Sequence, residues 1–503
     1  MLNGRPEKLH QYLDGAVANA GGRNCIHTTG KSFTYQAVQE FRIAFRKLFE
    51  SEKINPGDRI VIYSGKNTES IGAMAACSEC QGVYVPVSAA NPAPRALHII
   101  EDTNAEIVLC DETRAKHLAD SGFTMKLINS VGNLSAYRCK TQKTSVKTNS
   151  GLAFILYTSG STGHPKGVAI SHSAAIAFIE WAYLTFEIAS TDTLSSIAPF
   201  NFDLSVFDIY VTLRAGAQLL LFTEEETKNP LLVAQQLSVH NVTTIYATPT
   251  FYTTLAAYGR LNKYNYLSLR HILFAGEVFN MEHFGNLHAH WPGKRYFNLY
   301  GPTETNVVTC YEVDPAKTDE KVFPIGKCCS YASIIVLDET GQEVTENEKQ
   351  GELAIGGTSL FESYWNDPGK TSDAFWTDSS GTPYYKSGDI GYKRQDGNYM
   401  YVARKDRMIK KNGFRVEPSE IENVVAGFPG VAMTAVVFNP ANQLIICYIE
   451  NAQNTDIEYI KLHQYCSERL PQYMIPDKFV TLESLPKTVS GKVDLQALKA
   501  LII

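Results

Sequence analysis

Residues 157–167 read Tyr-Thr-Ser-Gly-Ser-Thr-Gly-His-Pro-Lys-Gly. The hydroxyls of Thr158, Ser159, Ser161 and Thr162, the glycines Gly160 and Gly163, and Lys166 crowd together directly after the apolar run 154–157. An apolar run that breaks at a glycine predicts a buried strand opening into a loop. Glycines let backbone N–H groups converge on an anion, and hydroxyls and a lysine add donors and charge, so the loop reads as a phosphate cradle. A solvated Ser/Gly turn is the plainer alternative, but a loop kept only for flexibility has no need of Pro165-Lys166 behind its second glycine. Only two residues separate Gly160 from Gly163, which excludes a Walker A loop, and the chain contains no Gly-x-Gly-x-x-Gly dinucleotide fingerprint.

Four further segments carry residue types that could do chemistry. Residues 298–305, Asn-Leu-Tyr-Gly-Pro-Thr-Glu-Thr, offer Tyr300 as an aromatic face suited to a purine, Thr303 as a hydroxyl and Glu304 as an oxygen donor for Mg²⁺ beside phosphates. Taken alone, the octapeptide reads as a Gly-Pro turn with a threonine helix cap. Residues 385–391, Tyr-Lys-Ser-Gly-Asp-Ile-Gly, read as a turn by composition, yet Asp389 could also accept two adjacent ribose hydroxyls. Residues 200–210 open a helix in which Asp203 either caps the first turn or stands as a buried anion. Residues 485–494, Leu-Pro-Lys-Thr-Val-Ser-Gly-Lys-Val-Asp, place Lys492 on a glycine-containing loop, where a lone lysine is ordinarily solvated.

The elements that must position these residues alternate. Strand-like runs at 59–63, 82–86, 106–110, 217–222 and 243–247 are separated by helix-like segments such as 173–186, the mark of α/β layers. After residues 351–356 short strands and turn signals take over, with Asp396-Gly397 predicting a tight hairpin. Residues 404–415 are heavily charged and read as a solvated run or a linker. A new α/β pattern follows: a helix opening at 417–422 with Ser419 as a possible cap, strands at 431–438 and 444–448, and a helix near 460–470.

With 503 residues the chain exceeds a single core. Its net charge of −6 without a long basic run argues against nucleic acid as the main partner. The N-terminus lacks the apolar core of a signal peptide and no run approaches a membrane span, which predicts a cytoplasmic protein. Ten scattered cysteines fit no zinc spacing and read as reduced, mostly buried thiols.

Together these motifs resemble, in order and across residues 30 to 495, those of the adenylate-forming superfamily: acyl-CoA synthetases, luciferases and the adenylation domains of peptide synthetases. The resemblance implies an α/β core (1–403) with a small β-rich subdomain, a hinge at 404–406 around Asp406, and a mobile small α+β domain (407–503). It implies ATP and Mg²⁺, with Thr158, Ser159, Gly160, Ser161, Thr162, Gly163 and Lys166 on the phosphates. Tyr300 would stack on adenine, Asn298 would contact its amino group, and Asp389 and Arg404 would hold the ribose. Thr303 would touch the α-phosphate, Glu304 would hold magnesium, and Lys492 would be the catalytic lysine. Asp203 would pair with a substrate α-ammonium. An acyl-CoA synthetase is disfavoured, because an acid without a cation would leave that carboxylate buried and unpaired.

The family's pocket positions fall on Asp203, Leu204, Phe207, Tyr246, Leu273, Ala275, Leu299, Val307, Val308 and Lys492. Tyr246 is the position most sensitive to the alignment. This apolar wall resembles stand-alone L-prolyl-adenylating enzymes that load a discrete carrier protein. A D-alanine–carrier ligase is the alternative, and a nucleotide-binding pseudoenzyme is the alternative of another class. No carrier-attachment serine follows the lysine loop, so the expectation is a monomeric stand-alone ligase with a separate phosphopantetheinylated partner and neither nucleic acid nor membrane.

Overall fold

The computed structural model describes residues 5–139, 151–160, 164–315, 322–440, 442–452, 457–487 and 493–501. Ser161, Thr162, Gly163 and Lys492 lie outside the described residues.

The apolar runs build two large sheets. In one, Ser363–Tyr364, Lys166–Ser171, Leu152–Thr158, Val83–Ser88, Arg59–Ser64, Ile107–Cys110, Leu134–Cys139 and Met125–Val131 lie side by side in that order. In the other the order is Lys327–Cys328, Thr309–Val313, Arg295–Tyr300, His271–Phe274, Thr244–Ala247, Thr193–Ser196, Gln218–Leu221, Asn24–Thr28 and Lys31–Thr34. The central strands of both run parallel. Arg59–Ser64 and Thr244–Ala247 are buried at every position, as expected where helices cover both faces. Asn67 starts Thr68–Glu79 and Thr248 starts Pro249–Tyr258 by accepting the backbone N–H three residues on. One apolar cluster joins Ile60, Ile62, Phe154 and Leu156 of the first sheet to Tyr246, Leu273 and Phe297 of the second, so the two share a core.

A third, antiparallel sheet centres on Ala332–Leu337, Gly351–Gly357 and Pro383–Lys393, with Tyr399–Arg404 added along the last of these. Residues 385–391 therefore lie within a strand and are not the turn their composition predicts. Glycine supplies the kink: Gly388 has φ +72°, and a Cβ there would sit 2.7 Å from Arg404 Nη2. The hairpin at Asp396-Gly397 forms as expected.

The charged stretch 404–415 is not a bare linker. It folds into the hairpin Ile409–Lys411/Phe414–Val416, and Lys411 is buried against Asp477 at 2.6 Å. Beyond it, Val431–Asn439, Leu444–Asn451 and Lys478–Leu482 form a three-stranded sheet packed on Pro418–Ala426 and Tyr459–Ser467. Ser419 lies inside Pro418–Ala426 and Glu417 takes the cap position, so the serine is not the cap. No helix among the described residues is long and apolar enough to cross a membrane. All ten thiols are free, and most are buried.

Candidate active site

Leu152–Thr158 delivers the phosphate loop, and Lys166–Ser171 returns antiparallel with Lys166 opposite Thr158. The register thus brings the lysine back beside the start of the loop. An added Cβ on Gly160 would collide with the His164 carbonyl oxygen, so the close approach of the two arms requires glycine. Lys166 Nζ lies 3.3 Å from Glu304 Oε1 and 4.2 Å from the centre of the Tyr364 ring. Glu304 is fully buried and also accepts the Tyr364 hydroxyl at 2.7 Å and Arg415 Nη1 at 3.0 and 3.2 Å. Burial alone would raise its pKa, but Arg415 and Lys166 outweigh that and hold the carboxyl well below the usual carboxylate range. Burial, with Arg415 adding to it, lowers Lys166 to about 8.

Tyr300 and Asn298 alternate with Leu299 on Arg295–Tyr300, so they face away from it. The Tyr300 hydroxyl donates to Asp389 at 2.6 Å, and Arg404 Nη1 donates to the other Asp389 oxygen at 2.9 Å. Asn298 donates to the Pro324 carbonyl at 2.8 Å. Tyr300, Asn298 and Arg404 line a cavity of about 1180 Å³, together with Gly276, Glu277 and Lys410. No helix follows Thr303, which removes the helix-cap reading of residues 298–305.

Several residues predicted to line the amino-acid pocket lie near one another in the core. Parallel register sets Ser196, Tyr246, Leu273 and Phe297 abreast. Leu204, Phe207, Tyr246, Leu273, Ala275, Leu299 and Val307 fall in one apolar cluster. Phe207 and Tyr246 meet edge to face at 5.3 Å. Val308 does not join them; it packs with Tyr300 and Ile325 on the other side. Asp203 takes the position before the short helix Leu204–Val206 but makes no capping hydrogen bond to its second or third residue. Burial raises its pKa to about 6, opposed by the Thr303 hydroxyl and reinforced by Glu304.

Sequence reasoning missed the groups that reach this site from the hairpin Ile409–Lys411/Phe414–Val416 and the helix after it. Arg415 reaches Glu304, and its carbonyl accepts the Ser159 hydroxyl at 2.6 Å. Glu420 accepts the Gly160 N–H at 3.4 Å and pairs with the buried Arg95. Glu277 accepts the Gly413 N–H at 2.6 Å, and Phe414 packs edge to face on Phe202. In sequence these residues sit in or beside a charged stretch that reads as surface, and only the docking of the small domain buries them.

A cavity lined by Asn298, Tyr300 and Arg404, and a lysine and a buried carboxylate paired at the hydroxyl-rich loop, are parts that a nucleotide-using enzyme needs. The "AMP-binding enzyme" family matches residues 13–365 and its C-terminal domain matches residues 420–492. The chain belongs to this family. An L-proline–[L-prolyl-carrier protein] ligase of Pseudomonas fluorescens is 33% identical over 97% of this chain and 98% of its own. A D-alanine–D-alanyl carrier protein ligase of Bacillus licheniformis is 31% identical over 92% of each. In fold, the chain is similar to the Vibrio cholerae adenylation domain AlmE in complex with glycyl-adenosine-5'-phosphate. That likeness has a TM-score of 0.83 at 22% identity, over 99% of this chain and 98% of the other.

Proposed function

We propose that the protein activates L-proline with ATP, releases pyrophosphate, and passes the prolyl group from the adenylate to the phosphopantetheine thiol of a separate carrier protein. The observation that carries this reading is Asp203, a half-buried carboxylate next to Thr303 with buried apolar residues beyond it. Such a site suits a substrate with a cationic amine and an apolar body, and the L-prolyl ligase matched over its whole length supports the same choice. ATP–pyrophosphate exchange against a panel of amino acids tests it, with L-proline expected first and D-alanine well behind.

In this reading the substrate carboxylate attacks the α-phosphorus, the bond to the β-phosphate breaks, and pyrophosphate leaves. Thr303 and Lys492 meet the charge that develops on the α-phosphate. The phosphate loop and Lys166 hold the outgoing phosphates, Tyr300 and Asn298 the adenine, and Asp389 and Arg404 the ribose. Glu304 is the kind of anionic oxygen donor magnesium takes, beside a loop built for phosphate, so the residues fit that ion. Magnesium, when bound, would neutralise charge on the phosphates. The enzyme acts in this reading as a cytoplasmic monomer, with a core over 1–403, a hinge at 404–406 and a mobile domain over 407–503.

The observed docking belongs, in this reading, to the second step. Arg415 on Glu304 and Glu420 on the Gly160 N–H occupy groups that the phosphates and their cation would need. Losing a charge-assisted hydrogen bond costs about 1.5–3 kcal/mol. Arg415→Met should therefore slow transfer from preformed prolyl-adenylate to the carrier by roughly 10- to 100-fold, with ATP–pyrophosphate exchange nearly unchanged. Equal losses in both half-reactions would refute the assignment.

The product should be a thioester on a phosphopantetheinylated carrier, detected by mass spectrometry of candidate carriers after incubation with ATP and proline. Efficient turnover with coenzyme A and none with any carrier would sink this expectation.

The reading also sets a pH dependence. Asp203 binds the ammonium only as a carboxylate, and its pKa in the free enzyme is about 6. Above that value it is ionised; below it the protonated acid loses the pairing. At saturating ATP, kcat/KM for proline should fall about tenfold per unit below about pH 6. A flat profile down to about pH 5 would rule the role out.

A further inference from the structure

We propose that Lys66 is a positioning residue for the amino-acid site, clamping the start of the segment 196–208 that carries Asp203, Leu204 and Phe207. The inference rests on the reading of Asp203 as the ammonium partner. Lys66 belongs to none of the motifs and lies in the turn between Arg59–Ser64 and Thr68–Glu79, whose start Asn67 caps. Its side chain is only 4% exposed. It meets that segment at its start. Nζ donates to the Ser196 carbonyl at 2.7 Å and lies 5.8 Å from the centre of the Phe200 ring. Its charge also opposes the burial that raises the fully buried Asp208 well above the usual carboxylate range.

The segment needs such a clamp. The Ser205 hydroxyl closes its middle by donating to the carbonyls of Phe200 and Phe202, at 3.2 and 2.7 Å. Its far end is the π-helical turn Phe207–Val211, a rare geometry that tends to mark functional positions. That turn holds Phe207 edge to face against Tyr246 and Phe186 while Asp208 is fully buried. Burial lowers the Lys66 pKa to about 8, opposed by Asp208, Glu224 and Glu226, so the Ser196 carbonyl is the partner that holds the ammonium in place.

The test uses the full chain. Lys66→Met is assayed by ATP–pyrophosphate exchange with L-proline and with its six-membered homologue pipecolate, alongside thermal melting. It should raise the KM for proline about tenfold, leave the KM for ATP within about twofold, and lower the preference for proline over pipecolate. Lys66→Arg, which keeps the charge, should recover most of the proline KM. Phe200→Leu removes the ring beneath Lys66 with little change of volume, and should shift proline KM and preference in the same direction by a smaller factor. It decides the matter if Lys66→Met does not fold. Lower melting temperatures with unchanged proline KM and unchanged preference would overturn the proposal and leave Lys66 a structural residue. If Asp203→Ala leaves proline dependence intact, the underlying reading fails instead; if Asp203→Ala acts while the Lys66 and Phe200 variants do not, only this inference falls.

Discussion

Asp203→Ala is expected to abolish proline-dependent ATP–pyrophosphate exchange while ATP binding survives. The carboxylate is half-buried beside Thr303 and Glu304, and the apolar residues of the proposed pocket are Leu204, Phe207, Leu273, Leu299 and Val307. Removing it would leave the substrate's ammonium desolvated without a partner, a loss of about 3–5 kcal/mol, or roughly 10²–10³ in kcat/KM and more. The same wall ranks the substrates. Alanine lacks methylenes of the proline ring and forfeits roughly 0.8 kcal/mol for each. Pipecolate overfills a close-fitting pocket at a cost of about 1–3 kcal/mol. Exchange faster with D-alanine than with L-proline would overturn the pocket reading and put the D-alanine ligase in its place. Unaltered proline dependence in Asp203→Ala would remove the ammonium role altogether.

Lys492→Ala is expected to cut adenylate formation by roughly 10²–10³, the scale for losing one preorganised electrostatic group at a developing charge. Nucleotide binding should persist, because Tyr300, Asn298, Asp389 and the phosphate loop all belong to the large domain. Carrier loading from preformed prolyl-adenylate should be nearly unaffected, since in the docked arrangement it is Arg415 that reaches Glu304. Rapid-quench measurement of each half-reaction separates the two. Loss of both by the same factor would contradict a domain that changes place between steps.

The motifs were legible in sequence because each is local. Glycines, hydroxyls and a lysine within one loop define an anion cradle wherever the loop lies, and strict alternation of apolar runs defines α/β layers. The register of parallel strands then brought Tyr246, Leu273 and Leu299 to one face, while Val308 joined a separate cluster with Tyr300 and Ile325. Composition misled at residues 385–391, where a glycine with positive φ bends a strand that polar residues disguise as a turn.

What the sequence by itself determined, then, is the chemistry available within each segment. The tertiary structure decided the pairings between segments: Arg415 with Glu304, Glu420 with Arg95 and Gly160, and Lys66 with Ser196. The physical reason is that a charged residue reads as solvated until an opposite charge from a distant element accompanies it into the interior, and no local pattern records that partner.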